Sequence, residues 1–387
     1  MNTLGVKKRE SNFELMRIVA MVMIVAHHLV VHGVQHCLDL ELQYAAWHDG
    51  TFFNRIFSVL FGDSGGQIGV GLFFMVTGYF LCEKKNASIL KVSLQTIFYS
   101  LLCACLLLVL IVFQKFFALA DFFPGTSLTR KIGWELHFLF LPLSAGGWWF
   151  VSAYILLVLT SPLINRLTAA LNHKGLCFLV AVSWFFWYSC NLTFGGVYSS
   201  LGKAFFWYLL GTYYRISVTK NKHAFVHLLA GIFFCLAASM LSFVCLEYFY
   251  DDFSVRAIFV KSFLGALKNC IAVPLSAWFL FSFFARIHIP ENRFINAVAQ
   301  TTFGIYLIHD NSVFRLLIWD YIFRVSEVQF RSACFPLLAA ADVIAVFSVC
   351  SIIDFLRLRF IQPGYMTFSE RLFEKYKADF TNTDGSS

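Results

Sequence analysis

Apolar runs too long for a soluble core recur through this chain, and they decide its fold class. Ile97 to Phe113 and Ala224 to Val244 stay apolar around the helix circumference, and about 20 such residues carry a helix across the hydrocarbon layer. A transmembrane barrel would alternate in polarity over segments of about 10 residues, which these runs do not do. With 59% apolar and 13% charged residues, against about a quarter charged in soluble domains, water is the wrong solvent for most of the molecule. The sequence predicts an all-α fold, a polytopic membrane helical bundle.

Apolar runs and polar breaks place about ten transmembrane helices, near 13–34, 67–82, 93–117, 148–165, 175–191, 203–216, 224–248, 262–285, 296–318 and 333–356. Short loops rich in Lys and Arg stay in the cytoplasm. With Lys84, Lys85, Arg166, Lys174, Arg215 and Arg286 inside, an even number of spans puts both termini in the cytoplasm. The chain divides into a cytoplasmic N-terminus (1–12), a membrane domain (13–360) and a cytoplasmic tail (361–387). Two connections on the outer side, 35–66 and 118–147, are long enough to carry function. The basic residues behind the net charge of +8 are scattered over many loops, so no nucleic acid partner is expected. Eleven cysteines form no CxxC pair and read as small packing residues. The run after Lys7, Lys8 and Arg9 is too long for a signal peptide and reads as the first membrane helix.

Ionisable groups in hydrocarbon are costly and mark where chemistry is to be sought. In the first span Arg17 and His28 stand eleven residues apart. That spacing returns to one helix face within about 20° and separates the two by roughly 16 Å along the axis. Arg17 then lies near the cytoplasmic mouth, where its fork of donors suits phosphate. His28 lies past the midplane, where imidazole suits a general base. The other reading is a snorkelling arginine with a helix-bridging histidine. His28 and His32 are one turn apart, but no carboxylate accompanies them in that helix, so no metal is expected. The second span offers Thr77, Gly78 and Tyr79, as hydroxyl donors or as a tight packing face, and Lys84, Lys85 and Lys91 follow it. Trp149 sits where a span meets the outer interface. In the ninth span Tyr306, His309 and Asp310, with Arg315 beyond, bring ring, imidazole, carboxylate and guanidinium together in an apolar setting, as a functional cluster or a buried ion pair.

The first-helix arginine and histidine in SNFELMRIVAMVMIVAHH, the FFMVTGY of the second span, WWFVSAYILL with SPLIN, and GIYLIHDN together resemble integral membrane acyltransferase family 3, in its polysaccharide acetyltransferase branch. Thr77 stands where the family usually has serine, and lysines stand where many relatives have an arginine pair. The resemblance implies transfer of an acyl group, acetyl above all, from cytoplasmic acyl-CoA (acetyl-CoA) to a hydroxyl of a cell-surface polysaccharide or lipid-linked glycan. No cofactor would be bound permanently, and the setting would be the bacterial cytoplasmic membrane. It implies His28 for the transfer step and Arg17 for the donor. Lys84 and Lys85 are added as donor contacts, and Thr77, Tyr79, Trp149, Tyr306, His309, Asp310 and Arg315 as acceptor or supporting residues. A separate extracytoplasmic transferase could complete the reaction. The rival function is a secondary transporter or glycan exporter using the same intramembrane charges.

Overall fold

A computed structural model describes residues 9–35, 47–84, 88–113, 128–143, 147–186, 200–218, 223–249, 252 and 254–371. Helices and no strands are found among the described residues. In chain order they are α1 (Ser11–Val34), α2 (Phe52–Leu81), α3 (Leu90–Val112), α4 (Leu128–Phe140), α5 (Trp149–Ala170), α6 (His173–Trp184), α7 (Ser200–Ser217) and α8 (Ala224–Phe249). Then come α9 (Val255–Arg286), α10 (Arg293–His309), the short α11 (Ser312–Leu316) and α12 (Phe335–Arg371). Local chemistry sets several starts. Thr51, Asn172, Ser254 and Asn292 each accept a hydrogen bond from a backbone N–H of the helix they precede, as capping residues do.

Seven of these helices are long and apolar enough to cross a membrane: α1, α2, α3, α5, α8, α9 and α12. The other three expected spans also fall on helices. The stretch 175–191 falls on α6, whose described part has 12 residues. The stretch 203–216 falls on α7, whose 18 residues include Lys203, Arg215 and three tyrosines. The stretch 296–318 falls on α10, which stops at His309 before a turn at Asp310 and Asn311. The expected outer connection 35–66 is corrected: α2 begins at Phe52 and passes through the Gly- and Ser-containing stretch as a π-helical segment, Val59–Gly65. Gly62 is needed there because a Cβ would stand 2.6 Å from Val30 Cγ1. The same holds for part of 118–147, which contains α4, and α9 starts before the expected 262.

Side-chain pairs fix the helix directions. Gly62 meets Val30, and a Cβ on Gly69 would lie 2.7 Å from the carbonyl oxygen of Ala20, so α1 and α2 run antiparallel. Gly71 faces Trp207 at 2.9 Å, and Arg215 pairs with Glu83 at 3.3 Å, so α2 and α7 run parallel. Asn165 of α5 donates to the carbonyl oxygens of Leu81 and Lys84, and Ser11 of α1 donates to Asn296 of α10. The bundle thus has a basal end, where α1, α3 and α10 begin, and a distal end, where α5 and α7 begin. Outward faces are apolar. Phe225, Leu229, Phe233, Leu236 and Met240 are all exposed along α8 at helical spacing, which is the face hydrocarbon covers. Inward, α1 packs into the bundle: Phe13, Met16, Ala20, Val25 and Leu29 are fully buried.

Candidate functional site

A cavity of about 440 Å³ runs inside the bundle beside α1. Arg17 and His28 both line it, so the face that their eleven-residue spacing defines opens onto one interior space rather than onto lipid. At the basal end the lining holds Arg9, Arg17, Lys91 and Glu14. Arg17 Nη1 donates to Glu14 Oε1 at 2.7 Å and Arg9 approaches the other carboxylate oxygen at 3.6 Å. Three cations against one carboxylate leave this mouth positive. The middle is apolar, walled by Met21, Ile24, Phe73, Phe74, Phe150 and Phe303. At the distal end the wall is made by His27, His28, Gln67, Trp149, Lys203 and Trp207.

His28 is held by the neighbouring α10. Its Nδ1 lies 2.8 Å from Nε2 of His309, and Nδ1 of His309 lies 2.6 Å from the carbonyl oxygen of Ile305. A carbonyl only accepts, so His309 Nδ1 must carry hydrogen and donate. In the neutral ring its Nε2 then accepts, and His28 donates to it from Nδ1. The chain of bonds leaves Nε2 of His28 with an open lone pair. That nitrogen faces Oδ1 of Asp310 at 3.6 Å, and Nε2 of His32 faces the same oxygen at 3.5 Å. A proton taken up at His28 Nε2 therefore arrives beside a buried carboxylate, which stabilises the imidazolium. The backbone favours this meeting: α1 turns π-helical immediately after His28, at Leu29–Val34, a distortion that often accompanies functional positions.

The carboxylate absent from the first helix is supplied by Asp310. Ligand-type atoms of His28, His32 and Asp310 all lie within 4.8 Å of one another, so these three are the described residues that could hold a metal ion. The remaining expected residues divide. Thr77, Trp149 and Tyr306 line the cavity, although the Thr77 hydroxyl also donates to Phe73 of its own helix at 2.8 Å. His309 and Asp310 are not in the lining; they face the two ring nitrogens of His28, His309 at Nδ1 and Asp310 at Nε2. Tyr79 is buried in an aromatic cluster with Phe13, Phe80 and Phe281, and its hydroxyl accepts from Arg215 at 3.0 Å. Lys84 is exposed beyond the end of α2, with its carbonyl oxygen bonded to Asn165, and is not in the lining. Arg315 is half-buried on α11, also outside it, and Lys85 falls outside the described residues. Sequence reasoning missed Glu14, Gln67, Tyr154 and Lys203 as wall residues. Only Glu14 carried a signal, three positions before Arg17 on the same face.

A family model described as an acyltransferase domain matches residues 10–354, which is most of the chain and takes in every helix that walls the cavity. No curated protein and no solved structure matches it.

Proposed function

Because this chain belongs to that acyltransferase family, integral membrane acyltransferase family 3, and is a multi-pass membrane protein, we propose that it moves an acetyl group from cytoplasmic acetyl-CoA to a hydroxyl of a cell-surface glycan on the other side of the bacterial cytoplasmic membrane. The observation that carries this is the single cavity joining the Arg17 mouth to His28. In this reading the basal end, with Arg9, Lys84, Lys91 and Arg215, faces the cytoplasm, as basic loops do. The positive mouth takes the donor's phosphates, with Arg17 and Lys91 in place of Lys84. The apolar middle takes the pantetheine arm, and the roughly 16 Å between Arg17 and His28 is spanned by that arm.

The chemistry follows from the open Nε2 of His28. The glycan hydroxyl gives its proton to Nε2 while its oxygen attacks the thioester carbonyl. The C–S bond breaks, the imidazolium returns the proton to the departing thiolate, and an ester and free coenzyme A remain. Asp310 stabilises the imidazolium, and His309 keeps the tautomer that leaves Nε2 available. General base catalysis of this kind contributes about 10²- to 10⁴-fold. The test is mass spectrometry of surface glycan from a deletion strain complemented with wild type, His28→Ala or Arg17→Lys. The expected result is an acetyl increment with wild type, none with His28→Ala and a strongly reduced one with Arg17→Lys, all three proteins accumulating in the membrane. An intact increment in both variants overturns the reading, and loss of glycan export in the deletion strain points to a transporter instead.

A further inference from the structure

Of the two ends of the cavity, the distal one is built unlike a passage for an acyl arm. Gln67 and Lys203 lie at the same height, because α2 and α7 run parallel and each residue stands one turn before the Gly71–Trp207 contact. Both line the cavity beside His28. The Oε1 of Gln67 is buried from solvent and has no hydrogen-bond partner, and an unmet buried acceptor costs about 1–3 kcal/mol. Trp149 completes the arrangement, with 41% of its surface still exposed and its ring edge-on to Phe150 at 6.1 Å, which holds the indole in place. An unmet acceptor, an ammonium and an aromatic face around one opening are the parts that recognise a sugar ring with a negative charge.

Resting on the transferase reading above, we propose that this distal pocket is the acceptor subsite and that it takes an acidic sugar of the uronic acid class. The Trp149 ring carries the apolar face of the sugar. The Gln67 Oε1 accepts from a hydroxyl neighbouring the one presented to His28 Nε2, and the Lys203 ammonium pairs with the sugar carboxylate. Gln67 and Lys203 are specificity residues here, separate from the transfer chemistry at His28.

The experiment is direct binding of two probes, methyl glucuronide and methyl glucoside, to the full-length protein in detergent, followed by saturation-transfer NMR. Wild type is expected to bind the glucuronide at least about tenfold more tightly than the glucoside, a difference of roughly 1.4 kcal/mol. Lys203→Gln is expected to abolish the preference, and Gln67→Leu to weaken both probes about equally. Equal binding of the two sugars by wild type, or an unchanged preference in Lys203→Gln, overturns the inference. Should wild type bind the glucuronide with the expected preference yet fail to acetylate it from acetyl-CoA, the subsite stands and the transferase reading falls, so the two failures are told apart.

Discussion

At the scale of single residues, the protonation pattern of the His28 ring is decided by an atom 281 positions away in the chain. His28 reaches its reactive tautomer only if His309 accepts at Nε2, and His309 accepts only because Ile305 holds its other nitrogen as a donor. His309→Leu removes the acceptor and frees the His28 ring to turn or to carry its hydrogen at Nε2. The expected outcome is a fall in kcat of about 10²-fold with the KM for acetyl-CoA little changed, since the donor mouth is untouched. His309→Gln, whose side-chain oxygen can accept from His28, is expected to restore much of the rate. A merely structural role for His309 would lower the amount of folded protein in both variants without this split. The Arg17 and His28 pair was legible in sequence because both sit on one helix and the 3.6-residue repeat alone aligns them. Their partners were not. Asp310 serves His28 and His32 from the turn that ends α10, and nothing local in SNFELMRIVAMVMIVAHH announces which distant carboxylate will arrive.

At the scale of elements, the cavity wall depends on how closely α2 and α7 approach. A Cβ on Gly78 would collide with the carbonyl oxygen of Tyr208, and one on Gly211 with that of Met75. The two backbones therefore touch through a pair of glycines, as small residues permit between membrane helices. Gly211→Ala or Gly78→Ala must push the helices apart, and overpacking of this kind costs about 1–3 kcal/mol. The expected outcome is a lower Tm of the purified protein in detergent for either variant. Gly265→Ala, where nothing lies within 4 Å of the new Cβ, is expected not to lower Tm, since alanine is the better helix former. A Tm for Gly211→Ala equal to that of Gly265→Ala would contradict the contact. Sequence hydropathy located these helices but misjudged their ends. Gly62, Asp63, Ser64 and Gly65 read as a loop because their residue types favour turns, whereas tertiary packing against Val30 and the Lys268–Asp63 pair at 3.4 Å holds them helical. The polar residues of α7, placed as a span at 203–216, have interior roles: Lys203 lies in the cavity wall and Arg215 reaches across to Tyr79 and Glu83.

At the scale of the whole molecule, six helices contribute walls to one cavity, and their mutual position is secured by a buried polar knot outside it. Asp354 of α12 is fully buried, and its Oδ1 accepts from Arg357 Nε at 2.6 Å, Tyr99 at 2.7 Å and Gln95 at 3.2 Å. Arg357 is buried too, and it donates onward to Gln362 at 3.1 Å and to the Tyr365 hydroxyl. Gly304 of α10 leaves the space that the carboxyl group fills. The knot thus ties α3, α10 and α12 together, and through Gln95, which lines the cavity, it reaches the wall. A buried pair of this kind is costly to break from one side, because the surviving charge is left uncompensated: about 3–5 kcal/mol. Replacing both members with apolar residues of similar size is often close to neutral. Asp354→Val alone is therefore expected to strip much of the folded protein from the membrane, as read by size-exclusion profile and Tm in detergent. Asp354→Val combined with Arg357→Met is expected to recover a large part of both. If the double variant is no more stable than Asp354→Val, the charge of Arg357 is not what the carboxylate compensates, and the three helices are held by packing of their apolar faces alone.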